Sequence, residues 1–202
     1  KWNGTSWSSL GGAGSGLNGI VEALTLYNGN LIAGGRFTDA GGDGNADYIA
    51  KWNGISWSSL GGAGSGLNYW VYVLTLYNGE LIAGGIFTDA GGDGNADRIA
   101  KWNGTSWSSL GGAGSGLSST VTALTLYNGD LIAGGYFTDA GGDGNADYIA
   151  KWNGTKWSSL GGAGSGLSSY VYALTLYNSD LIAGGGFTDA GGDGNADYIA
   201  KW

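Results

Sequence analysis

Each fifty-residue stretch of the chain contains one loop of closely spaced acidic residues. Its first copy is Asp43-Gly44-Asn45-Ala46-Asp47, where oxygen-bearing side chains stand at alternate positions and a glycine permits a sharp turn. This pattern is typical of the first half of a calcium-binding loop, although Gly54 stands where such a loop has its bidentate glutamate. The sequence therefore predicts a calcium site with an incomplete ligand set, and its donors in the four copies are Asp43, Asn45, Asp47, Asp93, Asn95, Asp97, Asp143, Asn145, Asp147, Asp193, Asn195 and Asp197.

The acidic loops also have a purely structural interpretation. Asp and Asn side chains stabilise turns by accepting hydrogen bonds from nearby backbone N–H groups. Acidic residues also keep a sheet-rich protein soluble. Calcium binding and turn formation are therefore alternative hypotheses for the same residues.

The composition excludes most catalytic chemistry. The chain has no His and no Cys, so it has neither a His-based nucleophile triad nor a His/Cys metal site. The acidic loops could supply the two carboxylates of a glycosidase, but on exposed, Gly-rich segments they lack the burial that raises the pKa of a general acid. We expect no enzyme activity, and no cofactor other than calcium.

The elements that position these loops are tandem repeats. Lys1-Trp2-Asn3-Gly4 recurs at positions 51, 101 and 151, and 39 of the 50 columns are identical in all four copies. We expect a single domain over 1–202, with repeats 1–50, 51–100, 101–150 and 151–200 and the start of a fifth at 201–202. A fixed period near fifty residues is typical of repeat architectures such as propellers.

The residue pattern of each repeat predicts four short antiparallel strands and no helix. In the first repeat the strands are Val21-Glu22-Ala23-Leu24-Thr25-Leu26-Tyr27, 31–38, 48–52 and 56–60, with Asn28-Gly29 and Asn53-Gly54 as hairpin turns. A Gly-rich connector at 61–66 then leads to the next repeat. The predicted fold class is all-β, a β-propeller of four-stranded blades.

The repeats resemble a known class of propeller. The Gly34-Gly35 pair, the Phe37-Thr38-Asp39-Ala40-Gly41-Gly42 segment and the Tyr48-Ile49-Ala50-Lys51-Trp52-Asn53-Gly54 segment are similar to repeats of secreted microbial kelch-like proteins, including the Rax2-like group. The resemblance covers every repeat. It implies a propeller that serves in adhesion, as a scaffold or in ligand binding.

The two ends of the chain supply complementary parts of one blade. The chain starts just before a fourth strand, from Thr5 to Leu10, and finishes with a third strand, from Tyr198 to Trp202. We expect the N-terminal strand to complete the last blade, which removes two sheet edges. An eight-bladed propeller made of two chains and a longer array of blades are the alternatives.

The most variable columns fall at one predicted end of the blades. Exposed loops drift in sequence, and packing around a central channel also varies, so variation alone does not establish a site. The substitutions are nevertheless large and often aromatic, the type that makes contact area. The predicted ligand-binding face consists of Ile20, Glu22, Arg36, Tyr69, Trp70, Tyr72, Ile86, Arg98, Tyr136, Tyr170 and Tyr172.

Three asparagines fit the N-glycosylation sequon. Asn3, Asn103 and Asn153 are each followed by Gly-Thr, whereas Ile55 breaks the pattern in the second copy. The same Asn-Gly pair is what a tight hairpin turn requires. Glycosylation and turn formation are therefore both hypotheses for these residues.

The formal net charge of −8 argues against a nucleic-acid partner, and we expect no insertion into a membrane. We expect an extracellular or cell-surface protein that binds a glycan or protein ligand, or that self-associates into a larger propeller or filament. The main hypothesis is a non-enzymatic scaffold for binding or adhesion. The alternatives are a lectin-like propeller with one site per blade, and an engineered or consensus propeller without a natural ligand.

Overall fold

The computed structural model describes residues 1–11, 14, 16–62, 64 and 66–202. The connector predicted at 61–66 is therefore described at 61, 62, 64 and 66, and its remaining positions lie outside the described residues. Over the described ranges the chain forms fifteen strands and one short 3-10 turn, Ala140–Gly142. No helix in these ranges is long and apolar enough to cross a membrane.

The strands form one sheet, here called a blade, per repeat. Blade 1 contains β1 (Val21–Tyr27), β2 (Asn30–Gly35), β3 (Ile49–Trp52) and β4 (Trp57–Ser58). Blade 2 contains β5 (Val71–Tyr77), β6 (Glu80–Gly85), β7 (Ile99–Trp102) and β8 (Trp107–Ser108). Blade 3 contains β9 (Val121–Tyr127), β10 (Asp130–Gly135), β11 (Ile149–Trp152) and β12 (Trp157–Ser158). Blade 4 contains β13 (Val171–Tyr177), β14 (Asp180–Gly185) and β15 (Ile199–Lys201).

Tight turns set the register of each blade. Tyr27 pairs with Asn30 across the turn between β1 and β2, so the loop is two residues long. Asn28 and Gly29 both have positive φ, 47° and 77°, as a type I′ turn requires. This turn matches the twist of the flanking strands, which explains why Asn-Gly predicts the hairpin correctly.

The blades stack through their first strands. β1 packs against β5, β5 against β9, and β9 against β13. Val71 of blade 2 reaches Gly34 of blade 1, where a Cβ on the glycine would lie 2.6 Å from Cγ1 of the valine. The same valine-to-glycine contact joins Val121 to Gly84 and Val171 to Gly134. Neighbouring blades thus share an apolar core, and glycine permits their close approach.

The structure confirms an all-β propeller built from antiparallel, four-stranded blades of about fifty residues. One part of the prediction is corrected. The N-terminal strand does not complete the last blade: Trp7 pairs with Trp2, and the fourth sheet has three strands within the described ranges. The reason is that Lys1-Trp2 is itself a copy of the end of β3, so Trp7 finds its pairing partner locally, across a short loop with little entropic cost.

Candidate functional site

The most variable columns meet at one edge of each blade, where the first strand begins, the second ends and the third begins. Backbone hydrogen bonds hold these three points together. The Arg36 N–H donates to the Ile20 carbonyl at 2.7 Å, and the Gly35 N–H donates to the Tyr48 carbonyl at 2.9 Å. The corresponding bonds recur in the other three blades. Side chains from distant parts of a repeat therefore emerge side by side.

A β-bulge shapes this edge in every blade. In blade 1 the register shifts between Val21 and Ala23, which leaves Glu22 as the extra residue. The equivalent shifts in the other blades leave Tyr72, Thr122 and Tyr172 in the same position. A bulge bends its strand and redirects the side chain it carries. The most variable position of the first strand is thus also its irregular one.

Between blades 1 and 2 the variable residues form a charged and aromatic cluster. Arg36 Nε lies 2.7 Å from Oε1 of Glu22, its neighbour on the same blade. The Arg36 guanidinium carbon lies 4.4 Å from the ring centroid of Trp70 and 5.5 Å from that of Tyr72. A cation this close to an aromatic face is attracted by the ring quadrupole. Arg36 therefore joins the two blades through two ring contacts, while its ion pair with Glu22 stays within blade 1.

Further aromatic contacts extend this cluster. The Tyr48 and Tyr69 rings stack with centroids 5.9 Å apart, and those of Tyr69 and Trp70 lie 4.9 Å apart. The Trp70 and Tyr72 rings meet edge to face at 6.4 Å. All of these separations lie in the range of favourable aromatic pairs.

A second aromatic cluster lies between blades 3 and 4. The Tyr136 and Tyr170 rings stack with centroids 4.3 Å apart, and the Tyr136 and Tyr172 rings lie 5.9 Å apart. Tyr148 meets Tyr170 edge to face at 5.5 Å. We call the two clusters together the aromatic rim; it comprises Glu22, Arg36, Tyr48, Tyr69, Trp70, Tyr72, Tyr136, Tyr148, Tyr170 and Tyr172.

The remaining predicted face residues lie outside both clusters. Ile86 and Arg98 are half-buried on blade 2, where the Arg98 guanidinium donates to the Ile86 carbonyl. Ile20 is exposed at the start of blade 1. The structure therefore brings together eight of the eleven predicted residues, as two groups.

Ring exposure differs within the aromatic rim. Tyr69, Tyr170 and Tyr172 are 43%, 40% and 53% exposed, whereas Trp70, Tyr72 and Tyr136 are half-buried. Burial raises the pKa of the Tyr72 hydroxyl. Burial also raises the pKa of the Tyr136 hydroxyl, together with a hydrogen bond to Tyr172. These tyrosines stay protonated at neutral pH, so the rim offers neutral hydroxyl groups and apolar ring faces.

Tyr48 and Tyr148 belong to the rim but not to the predicted ligand-binding face. Both adopt left-handed backbone conformations, with φ of 61° and 63°. Arg98 and Tyr198 in the same column have φ of 65° and 61°, so the conformation belongs to the fold and not to one residue type. The variability of this column is a signal that could have identified the two tyrosines.

The acidic loops are built as hydrogen-bonded turns. Asp43 Oδ1 accepts the Asn45 N–H at 3.0 Å, and Oδ2 accepts the Ser59 N–H, just beyond β4, at 2.9 Å. Asp93 and Asp143 accept equivalent bonds from Ser109 and Ser159. The serine N–H bond lowers the pKa of the Asp43 carboxyl, and the same bond lowers the pKa of Asp143 to about 2. The loops thus fasten the outermost strand to the blade.

Asp47 differs from the other loop carboxylates. Burial, with the nearby charges of Asp39 and Asp43, raises its pKa. Within the described residues no group of three or more His, Cys, Asp or Glu side chains is close enough to hold a metal ion. The calcium hypothesis stays a prediction. It requires heat on calorimetric titration with calcium and a raised melting temperature, and the absence of both would reject it.

The asparagines of the three sequons take part in turns. Asn3 Oδ1 accepts the backbone N–H groups of Thr5 and Ser6 at 2.9 and 2.8 Å. Asn53 accepts the same pair of bonds although its repeat has Ile55 and no sequon. The turn therefore explains the asparagine in every repeat, and glycosylation stays a prediction.

Comparisons with known proteins place the chain among β-propellers. No protein-family model matches the chain, and no curated protein sequence matches it. The structure is similar to the computationally designed Ika4 protein, with a TM-score of 0.55 and 18% identity over 98% of both chains. It is also similar to the computationally designed Ika8 protein, with a TM-score of 0.48 and 19% identity over 86% of this chain and 46% of that one. A WD40 propeller domain of Doa1 has a TM-score of 0.39 and 13% identity over 82% of this chain and 60% of that one. At these identities the first similarity supports the propeller fold alone.

Proposed function

We propose that the chain is a non-enzymatic, extracellular propeller scaffold that binds its ligand on the aromatic rim. The observation that supports this proposal is the exposure of Tyr69, Tyr170 and Tyr172 beside half-buried aromatic partners. Partners hold each exposed ring in place, so little side-chain entropy is lost when a ligand covers it. The relationship to kelch-like and Rax2-like repeats is part of the same proposal.

A carbohydrate is the ligand class that we favour for this rim. Flat tyrosine faces suit the apolar faces of sugar rings, and the Arg36–Glu22 pair offers charged hydrogen-bonding groups beside them. The ring contacts occur between blades 1 and 2 and between blades 3 and 4. We therefore propose two glycan sites per chain in place of one site per blade.

A second candidate is a consensus or engineered propeller that has no natural ligand. Two observations favour it: 39 of 50 columns are identical in all repeats, and the variable aromatic residues contact one another. In this case the variable columns adjust the packing between blades. The similarity to a computationally designed propeller agrees with this candidate at the level of the fold.

A glycan array followed by calorimetry separates the two candidates. Binding at two sites per chain, with one site lost in Trp70→Ala, the other lost in Tyr172→Ala and both retained in Ile55→Ala, supports the aromatic rim, because Ile55 is exposed outside the rim. An array without binding, together with variants that lose thermal stability, supports the ligand-free propeller. Intact mass spectrometry of the native chain tests the location, since glycans on Asn3, Asn103 or Asn153 require passage through a secretory pathway.

A further inference from the structure

The first blade exposes a surface that is buried in every other blade. Val21 is 39% exposed, whereas its copies Val71, Val121 and Val171 are 0% exposed because each packs against the preceding blade. Leu24 is also exposed, while its copies Leu74 and Leu124 are buried and Leu174 is half-buried. The outer face of β1 is thus shaped for contact with a preceding blade.

The fourth blade exposes the opposite surface. Ile199 is 66% exposed, although its copy Ile149 is 5% exposed in blade 3. A Cβ on Gly184 would meet only Tyr198 and Ala173 among the described residues, with no valine from another blade. Tyr177 is exposed as well, whereas its copies Tyr27 and Tyr77 are buried. The outer face of blade 4 therefore has the shape that receives a following blade.

An open groove on blade 4 is lined by the positions that pack with the fourth-strand tryptophan in blade 3. In blade 3 the equivalent apolar residues form one core with Trp157 of the fourth strand. In blade 4 the same positions line a groove next to Trp202, and their core contains no tryptophan among the described residues. The groove is lined by Leu181, Ala183, Ala190, Ala196 and Ala200.

Trp7 is the tryptophan that lacks this environment. It is 79% exposed, whereas its copies Trp57, Trp107 and Trp157 are 7%, 4% and 2% exposed. Its one ring contact among the described residues is with Trp2, at a centroid separation of 5.7 Å. A large indole that is buried in three copies and exposed in the fourth marks a surface that association can cover.

We propose that a second copy of this chain docks head-to-tail on these two surfaces. Val21 of the second copy packs against Gly184, and Trp7 of the second copy leaves Trp2 to pair with Trp202, which is the copy of Trp2. The Ser9 N–H of the second copy then reaches Asp193, as the Ser59 N–H reaches Asp43 within one chain. The new interface repeats the contacts that already join the blades.

A second copy fits better than closure within one chain. With the three observed blade interfaces in place, Gly184 and Val21 do not meet within the described part of the chain. A head-to-tail contact of this kind closes into a ring or continues as a filament. Two copies of four blades make eight, which lies within the range of roughly four to eight blades found in propellers. We therefore propose a closed, two-chain propeller.

Sedimentation equilibrium of the 202-residue chain tests the proposal. We expect a species of twice the 20.4 kDa chain mass that does not grow further with concentration. Gly184→Ala and Trp7→Ala should each weaken its formation about tenfold or more, because one overpacks the interface and the other removes its buried indole. Both residues are exposed or half-buried in the single chain, so these variants should fold.

Two matched variants control for general effects of substitution. Gly44→Ala places its methyl group in open space, and Tyr69→Ala removes an exposed ring outside both surfaces. Both control variants should form the two-copy species as readily as the unsubstituted chain. A chain that remains at the mass of one copy, a mass that rises steadily with concentration, or equal weakening by the control variants would each overturn the proposal.

Discussion

Val71 packs so tightly against Gly34 that a Cβ on the glycine would lie 2.6 Å from Cγ1 of the valine. This contact sets the spacing between blades 1 and 2, and its copies set the next two spacings. The second glycine of each pair, such as Gly35, instead approaches the backbone of the first strand, where a Cβ would lie 2.0 Å from the Ile20 carbonyl oxygen. The Gly-Gly pair of the first three repeats thus serves two different close approaches, whereas in the fourth repeat only Gly185 makes its contact with the first strand.

Gly34→Ala should destabilise the single chain by about 1–3 kcal/mol, because the added methyl group overpacks the interface with Val71. The matched variant is Gly184→Ala, whose methyl group would meet its nearest described neighbour at 3.8 Å. Urea unfolding, at concentrations where the chain does not associate, measures the unfolding free energy of both variants. Equal losses in the two variants would contradict the role assigned to the valine contact.

Ser179→Gly should stabilise the chain by about 1 kcal/mol. Ser179 has a φ of 71° in the position that Gly29, Gly79 and Gly129 occupy in the other blades, and a serine is strained there. The gain is limited because glycine also increases the entropy of the unfolded chain. Gly129→Ser is the reverse control and should lower the melting temperature. A lower melting temperature for Ser179→Gly would show that the turn is not strained.

Arg36 and Trp70 should be energetically coupled by about 0.5–1 kcal/mol, the value typical of an exposed cation–π pair. A double-mutant cycle with Arg36→Leu and Trp70→Leu measures the coupling through unfolding free energies. A second cycle, between Arg36 and the distant Trp157, should give no coupling. Additive effects in the first cycle would mean that the contact contributes nothing to stability.

Acid should weaken the fold through the aspartates that bind serine N–H groups. The pKa of Asp143 is lowered from 3.8 to about 2, so the carboxylate form favours the folded state. The stabilisation is present above pH 3.8 and is lost as the pH falls towards about 2, because the unfolded chain binds the proton first. Asp143→Asn should flatten the dependence of unfolding free energy on pH across this interval.

Asp193→Asn is the matched control for this pH dependence. Asp193 accepts the Asn195 N–H but no serine N–H among the described residues, so its replacement should change the acid response of the single chain less. Chemical denaturation at a series of pH values compares the two variants. An unaltered slope in Asp143→Asn would contradict the role of the Ser159 bond.

The strands and turns of the blade could be predicted from local sequence patterns. Features that depend on contacts between distant parts of the chain could not. Asn28-Gly29 predicts its hairpin turn, because few other residue pairs adopt two consecutive positive φ angles at a low energetic cost. Nothing in the sequence around Glu22 indicates a bulge, because the shift lies in the pairing between β1 and β2 and not in a local residue pattern. The left-handed conformation of Tyr48 could not be predicted from sequence either. Tyrosine disfavours a positive φ, and the surrounding backbone hydrogen bonds impose it.

The N-terminus illustrates the same limit. Trp7 has the sequence of a fourth strand, and sequence alone does not say which chain provides its partner. Two copies of the pairing tryptophan remain for it, Trp2 nearby and Trp202 at the other end, because the other three pair with Trp57, Trp107 and Trp157. The choice between them depends on how the blades stack, and so on the valine and glycine contacts.

Disulfide formation between two single-cysteine chains tests the two-copy propeller most directly. A Cβ on Gly34 would lie 3.1 Å from Cβ of Val71, near the separation of about 3.8 Å that a disulfide bridges. The chain contains no other cysteine, and the proposed interface places Val21→Cys of one copy beside Gly184→Cys of another, so this mixed disulfide should form in preference to one between two copies of the same variant. The two variants, mixed and oxidised, should give a covalent species of twice the chain mass that neither variant gives alone. If the mixture gives no such species, while a chain carrying both substitutions cross-links within itself, the four blades close alone and the two-copy propeller is wrong.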